Sequence, residues 1–215
     1  MILITGNTGT GKSTLAMEFL AEGLKKGENS VFVNLEEPSQ QVKKTAEAHG
    51  WDFEKYEKDG LLSFVSPELI DTYPNKFLYQ ILDIVDKKGA SRVVLDSVSS
   101  LPSSGLSEDK LRQILLQFNS ALKARGATGV MTHLASGLFS QNSEKLLGAT
   151  KASDLRLSSL SDGILLLRYI ERENKVGKAM NILKMRGCDH DKYVRELKIT
   201  DQGVEIGEVF HKGLQ

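Results

Sequence analysis

Apolar and polar positions follow two different periods along the first two thirds of the chain. Short apolar runs alternate with longer stretches in which apolar residues recur every three or four positions. The first pattern is typical of buried strands, and the second is typical of helices that pack on a sheet. The alternation therefore predicts an α/β fold with a mainly parallel central sheet flanked by helices.

The predicted elements follow one another with short connections. The predicted strands are Ile2–Thr5, Ser30–Glu36, Leu61–Ser66, Arg92–Asp96 and Thr128–His133. The predicted helices run from Lys12 to Lys26, from Pro38-Ser39 to about His49, from Lys76 to Lys88, and from about Glu108 to Arg125.

The pattern changes after the fifth predicted strand. Residues 134–161 are rich in Ser, Gly, Asn, Lys and Leu without clear periodicity, which predicts a loop region that is either mobile or functional. From Asp162 onward there are three β-type runs, ILLLRYIER, KAMNILKMR and YVRELKIT, separated by turn candidates at Glu173-Asn174 and Cys188–Asp191. They predict a C-terminal antiparallel β-meander. A length of 215 residues suits one large domain, so residues 1–215 are predicted to form a single unit.

Charge and composition narrow the possible partners. Lysine plus arginine equals aspartate plus glutamate at 28 each, so the chain lacks the basic excess typical of nucleic-acid binding. No apolar run approaches the ~18 residues of a membrane span. The single cysteine, Cys188, forms no intrachain disulfide, which favours a reducing, cytoplasmic location.

The strongest chemical signal is a glycine-rich loop after the first strand. Gly6–Ser13 (GNTGTGKS) fits G-x-x-x-x-G-K-[ST] at every fixed position. Glycines let backbone N–H groups point at a phosphate, and the start of the following helix adds a positive partial charge. A chance glycine-rich turn is the alternative, but the strand before the loop and the helix after it favour an ATP site. The predicted nucleotide contacts are Thr8, Gly9, Thr10, Gly11, Lys12, Ser13 and Thr14.

Two oxygen-bearing residues are the candidates for holding Mg²⁺ with the nucleotide. Ser13 would place its hydroxyl on the ion, and Lys12 would bridge the β- and γ-phosphates. Asp96 ends the apolar run VVL, where an aspartate can hold Mg²⁺ through its water shell. A buried strand that ends in aspartate at a turn is also a common structural feature.

The adjacent pair Glu36-Glu37 is the candidate for the general base. It ends the second predicted strand, which we expect to lie beside the strand of the glycine-rich loop. One glutamate would orient and deprotonate the attacking water. The alternative is a strand end followed by a helix start, where acidic residues are favoured. Ser97 directly follows Asp96, so the base is not the residue after the magnesium aspartate.

Together these residues resemble the RecA-type P-loop ATPases, and among them the KaiC-like family. The resemblance covers nearly the whole chain, and its last two segments are most similar to the second, phosphotransferring domain of KaiC. It rests on GNTGTGKSTL (6–15), Glu36-Glu37, GWDFEKYEKDGLL (50–62), RVVLDSVSSL (92–101), LSSLSDGILLLRYIE (157–171) and KMRGCDHDKYVRELKITDQGVEI (184–206).

The resemblance implies a site shared between subunits. Glu36 is the first choice for the base. Lys184 and Arg186 match a Lys-x-Arg pair that reaches the γ-phosphate bound by a neighbouring subunit, and His190 accompanies them. The implied assembly is a homo-oligomer, a hexameric ring with ATP at each interface, that acts on an unknown protein partner. Without the resemblance, the two cations would be interpreted as an exposed basic edge strand.

Three further alternatives remain open. Ser158 and Ser159 match the paired positions that KaiC phosphorylates on itself, which suggests an autokinase, although serines before a strand also serve as turn and cap residues. A DNA-handling recombinase relative is the second alternative, and the neutral charge disfavours it. His133 is either a γ-phosphate sensor or a structural histidine at a strand end.

Overall fold

The structure is a computed structural model that describes residues 1–66, 74–104, 107–135, 159–172 and 175–210. Its strands are β1 (Ile2–Gly6), β2 (Ser30–Asn34), β3 (Leu62–Val65), β4 (Arg92–Asp96), β5 (Thr128–Leu134), β6 (Gly163–Arg172), β7 (Lys175–Met185), β8 (Arg195–Thr200) and β9 (Gly203–Val209). Its helices are α1 (Lys12–Leu24), α2 (Ser39–Glu47), α3 (Phe53–Lys58), α4 (Pro74–Lys88) and α5 (Glu108–Ala124), with a 3₁₀ helix at Val98–Ser104.

Within the described ranges the strands form one sheet, in the order β3-β2-β4-β5-β1-β6-β7-β8-β9. The strands from β3 to β6 in this order are parallel to their neighbours, whereas β6 to β9 pair in antiparallel fashion. The predicted α/β class and the C-terminal meander are therefore confirmed. All the parallel strands point their carboxyl ends toward one edge of the sheet, which collects the loops that follow them.

Burial on both faces explains why the parallel strands are so apolar. In β2 every residue is buried, with Val31 and Val33 in the core on one face and Phe32 in the core on the other. The first core lies under α4 and α5, and the second lies under α1, α2 and α3. A strand covered on both faces needs a continuous apolar run instead of alternation. In the described part of the chain, no helix combines the length and apolarity that a bilayer crossing requires.

The expected position of β2 beside the strand of the glycine-rich loop is wrong. Two strands, β4 and β5, separate β2 from β1. Strand order depends on how the crossover helices pack over the sheet, and the residue pattern of a single strand does not contain that information. The end of β2 lies instead beside the end of β4, where Asn34 pairs with Asp96.

The sequence patterns also miss two short elements. Helix α3 has six residues, of which only Phe53 is buried, so it shows no apolar periodicity; the side chain of Asp52 caps it by accepting from the Lys55 N–H. Strand β9 contains Gly203 and Gly207, which weaken the strand signal. The predicted bounds of the other elements differ from the observed ones by no more than a few residues, as is usual at element ends.

The turn between β8 and β9 packs against the helical layer on the α1 side. The carboxylate of Glu18 in α1 accepts a hydrogen bond of 3.0 Å from the backbone N–H of Val204. Burial raises the pKa of Glu18, and this hydrogen bond partly opposes the rise. His49 Nδ1 donates to the carbonyl of Thr200 at 2.7 Å. These contacts join the meander to the helices that cover the parallel strands.

Replacing Gly203 with alanine should destabilise the fold through this contact. Gly203 has a φ of 116°, and an added β-carbon would lie 2.8 Å from Trp51 and 3.1 Å from the Glu18 carboxylate. We expect a loss of about 1–3 kcal/mol in the free energy of unfolding, measured by denaturant titration.

Gly60→Ala is the matched control, because Gly60 also has a positive φ, of 78°, but has open space around its α-carbon. Its cost should be limited to the backbone conformation, about 1 kcal/mol. Equal losses for the two variants would show that the added β-carbon meets no steric resistance from Trp51 and Glu18.

Candidate active site

Three positions in the loop between β1 and α1 require glycine. Gly9 and Gly11 adopt φ values of 77° and 101°, in the left-handed region. At Gly6 the constraint is steric, because an added β-carbon would lie 2.2 Å from the carbonyl oxygen of Leu167 on β6. The glycines of the loop thus meet two separate physical requirements, a left-handed backbone conformation and a close approach to β6.

One carbonyl organises the interior of this loop. The carbonyl of Asn7 accepts hydrogen bonds from the Thr10 hydroxyl at 2.8 Å and from Lys12 Nζ at 2.9 Å. Burial lowers the pKa of Lys12, while the nearby carboxylates of Asp96 and Glu36 oppose that effect. The lysine is therefore held inside the loop, within the field of both predicted site carboxylates.

Two side chains from the C-terminal part of the sheet also contact the loop. The Tyr169 hydroxyl on β6 donates to the carbonyl of Thr8 at 3.2 Å and would lie 2.5 Å from a β-carbon on Gly9. On β8, Ile199 would lie 2.5 Å from a β-carbon on Gly11. Sequence reasoning does not identify either residue, because each contact joins elements far apart in the chain.

Asp96 lies at the carboxyl end of β4, close to the start of α1. Its Oδ1 accepts a hydrogen bond from the Thr132 hydroxyl on β5, and the Ser13 side chain lies close to the carboxylate. Burial raises the pKa of Asp96, and the interactions with Thr132 and Ser13 oppose the rise. The sequence pattern does not identify Thr132: it is a polar residue within the predicted strand Thr128–His133, but nothing local shows that Asp96 is its partner.

The donor set of Asp96 and Ser13 fits Mg²⁺. Both are hard oxygen donors, they contact each other, and Mg²⁺ takes one or two protein oxygens while keeping its other positions for phosphate and water. Among the residues that the structure describes, no cluster of three or more His, Cys, Asp or Glu side chains could hold a metal ion. With Ser13 and Asp96 as its protein oxygens, a magnesium ion would take its other ligands from phosphate and water.

The structure distinguishes Glu36 from Glu37. Oε1 of Glu36 accepts a hydrogen bond of 2.7 Å from the Ser100 hydroxyl, in the 3₁₀ helix that follows β4. The charge of Glu36 also acts on Asp96 and contributes to the rise of its pKa. Glu37 contributes its backbone carbonyl, which accepts from the Asn34 side chain at 2.5 Å. Glu36 is thus the member of the pair whose carboxylate is coupled to the rest of the site.

Lys184 and Arg186 lie at the opposite side of the sheet from the glycine-rich loop, at the level where the parallel strands begin. Lys184 pairs with Ile164, which pairs with Leu3 in turn, whereas the glycine-rich loop begins three residues further along β1 at Gly6. At ~3.3 Å per residue this separation is about 10 Å along the strand, and the loop extends further in the same direction. Arg186 follows the end of β7 and lies further still from the loop.

Both cations contact the segment that precedes β6. Lys184 Nζ donates to the carbonyl of Ser161 at 2.8 Å, and the Arg186 guanidinium donates to the carbonyl of Ser159 at 3.2 Å. In the described residues β8 pairs with β7 only at Lys178–Met180, so β7 is paired with β6 alone near Lys184. Near Lys184, β7 is therefore an edge strand, which agrees with the alternative in which the two cations protect an exposed edge.

The remaining predicted residues lie at three different places. His190 lies, half-buried, in the turn between β7 and β8. His133 is buried at the end of β5, with Nδ1 3.4 Å from the hydroxyl of Thr5. Ser159 is exposed beside Arg186, and Ser158 lies outside the described residues.

Comparison with known proteins identifies close relatives. The family model "ATPase: KaiC" matches residues 1–210 of the chain. The circadian clock oscillator protein KaiC of Acaryochloris marina is 33% identical over 216 residues, and that of Thermosynechococcus vestitus is 35% identical over 215 residues. Each match covers 98% of this chain but only 39% of the relative, so the chain spans about two fifths of their length.

A solved structure extends the likeness to the fold. The crystal structure of a KaiC-like protein from Pyrococcus horikoshii matches with a TM-score of 0.81 and 30% sequence identity. The match covers 96% of this chain and 88% of that protein. The similarity therefore includes the parallel sheet and the meander together.

Proposed function

Because the chain belongs to the KaiC family of ATPases, we propose that it binds Mg·ATP at the loop between β1 and α1 and hydrolyses it at an interface between two copies. The observation that carries the proposal is the grouping of Lys12, Ser13, Asp96 and Glu36 at one edge of the sheet. The two cations that follow from the family resemblance lie at the other edge.

Binding follows from the loop and the residues at its end. The N–H groups of residues 8–14 and the start of α1 form a cradle for the phosphates, and Lys12 places its charge between the β- and γ-phosphates. Ser13 and Asp96 would hold Mg²⁺. When bound, the ion would neutralise charge on the phosphate oxygens. The desolvation of Lys12 supports this role, since a partly buried cation favours an anionic ligand.

The chemical step uses a carboxylate on the strand beside Asp96. Glu36 accepts a proton from a water molecule whose oxygen attacks the γ-phosphorus. The bond from the γ-phosphorus to the bridging oxygen breaks, and ADP leaves with that oxygen. The Ser100 hydroxyl orients the carboxylate of Glu36, which supports the choice of Glu36 over Glu37.

The position of Lys184 and Arg186 supports a role toward a second copy. Neither residue is near its own glycine-rich loop, so a contact with the γ-phosphate requires the loop of a neighbour. Such a head-to-tail interface closes into a ring when its rotation allows, and we propose the hexamer that the family resemblance implies. The two cations would then stabilise charge on the transferred phosphoryl group.

Glu36→Gln should separate binding from hydrolysis. The variant keeps the shape of the side chain but cannot accept the proton, so we expect turnover to fall by about 10²-fold or more while the dissociation constant for Mg·ATP changes little. Glu37→Gln is the matched control and should retain most of the turnover. Steady-state hydrolysis and nucleotide titration measure the two quantities, and normal turnover in Glu36→Gln would remove this residue from the mechanism.

Mixing two inactive variants tests whether the site is shared. Arg186→Ala keeps its own Glu36, and Glu36→Gln keeps its own Arg186, so an interface that combines the intact halves is complete. In randomly mixed rings at equal ratio, about a quarter of the interfaces should be complete, and activity should return to about that fraction of the wild-type rate.

In the control for this experiment, each variant is dissociated and reassembled alone. Subunits must be exchanged by dissociation and reassembly, and the size of the assembly should be checked with and without Mg·ATP. Mixed rings that remain as inactive as either parent would show that Arg186 does not complete a neighbour's site.

A serine autokinase is the second candidate function. The observation in its favour is the contact between the Ser159 carbonyl and Arg186, because Arg186 is the residue that we propose reaches a neighbour's γ-phosphate. In that case the Ser159 hydroxyl oxygen, or that of Ser158, attacks in place of water. Intact-mass measurement after incubation with Mg·ATP should then show one or two added phosphates, lost in Ser158→Ala/Ser159→Ala. An unchanged mass would exclude the activity under those conditions.

The remaining expectations stay predictions. The equal numbers of acidic and basic residues give no support to the DNA-handling alternative. A protein partner that uses the hydrolysis, a cytoplasmic location and the single domain over residues 1–215 are proposals that follow from the sequence and the family resemblance.

A further inference from the structure

Asp162 contacts residues from three parts of the chain, at the side of the sheet opposite to the glycine-rich loop. Its carboxylate accepts hydrogen bonds from the Met1 amine at 2.9 Å and from Lys123 Nζ, at the end of α5, at 2.8 Å. The guanidinium of Arg186 lies 3.6 Å from the same oxygen that Lys123 contacts. Burial alone would raise the pKa of Asp162, but the hydrogen bonds and charges of Lys123 and the Met1 amine lower it to about 2.

The backbone around Asp162 fixes the main chain of Arg186 as well. The N–H of Arg186 donates to the carbonyl of Asp162 at 2.7 Å, which continues the pairing of β6 and β7 by one step. At the far end of the side chain, the guanidinium donates to the carbonyl of Ser159. Arg186 is therefore held at its main chain and along its side chain, although about half of that side chain, 56%, is exposed.

The balance of charge leaves Arg186 available for an anion. One carboxylate faces three cations, and its contact with Arg186 is the longest of the three. Among the described residues, Asp162 therefore neutralises Arg186 only in part, and the guanidinium keeps an exposed side. Burial and the charge of Arg186 lower the pKa of Lys184, and the charge of Asp162 opposes both effects.

We propose that Asp162 is a positioning residue that orients Arg186 toward the nucleotide bound by a second copy of the chain. This inference rests on the proposed function, since it requires a site shared between copies. In this view the Asp162 carboxylate fixes the direction of the guanidinium through its own contact with Arg186, and Lys123 contributes only to stability. Asp162 itself does not touch the nucleotide.

Asp162→Asn keeps the shape of the side chain and removes its charge. We expect kcat for ATP hydrolysis to fall by about tenfold or more, because a misdirected cation no longer meets the developing charge. The dissociation constant for Mg·ADP should stay within about twofold of wild type, because the loop that binds it lies at the other edge of the sheet. Asp162→Glu retains the charge and should recover part of the loss.

Lys123→Met is the control for a purely structural effect. It removes a hydrogen bond to the same carboxylate oxygen but leaves the Asp162–Arg186 contact in place. We expect a measurable loss of thermal stability, with kcat within about twofold of wild type. An equal loss of kcat in both variants would mean that Asp162 acts only through stability and would overturn the proposal.

The decisive measurement combines Asp162→Asn with Arg186→Ala. If Asp162 acts through Arg186, the double variant should be no slower than Arg186→Ala alone, whereas independent effects would multiply. Multiplied losses would overturn the proposal, as would an Asp162→Asn variant that is inactive because it no longer assembles.

The outcomes also separate this proposal from the one on which it rests. Normal turnover in Arg186→Ala would overturn the shared site and the positioning role together. Slow turnover in Arg186→Ala with normal turnover in Asp162→Asn would leave the shared site intact and overturn the positioning role alone.

Discussion

The close approach of Gly6 to the carbonyl of Leu167 is the contact on which the rest of the site depends. With a β-carbon at Gly6 only 2.2 Å from that oxygen, β1 and β6 could not pair at this level of the sheet. The same pairing places the glycine-rich loop against β6, the strand from which the meander starts. The distance between the two halves of the proposed site therefore follows from two strand pairings, that of β1 with β6 and that of β6 with β7.

Sequence reasoning identifies the groups whose signals lie within a few neighbouring residues. Lys12 and Ser13 belong to a motif whose spacing is the signal, and Asp96 ends an apolar run. It does not identify Thr132 or Tyr169, because each contacts a residue of another element and no local pattern records such a contact. The wrong neighbour expected for β2 has the same cause, since strand order arises from the packing of helices over the sheet.

The zero net charge of the chain conceals an uneven distribution along the strands. The carboxylates of Asp96 and Glu36 lie at the edge where the parallel strands end, and Lys184 and Arg186 lie at the edge where they begin. Complementary edges favour head-to-tail association over a contact between like edges.

Helix α1 begins with Lys12 and Ser13. Little more than a turn later, the carboxylate of Glu18 accepts a hydrogen bond from the backbone of β9. The carboxylate of Glu18 is desolvated there, and the N–H of Val204 is the donor that compensates it. A chain shortened before β9 would keep every residue of the phosphate-binding loop but leave this carboxylate without its backbone partner. The β8–β9 hairpin thus packs directly on the helix that follows the glycine-rich loop and supports it from the C-terminal end of the chain.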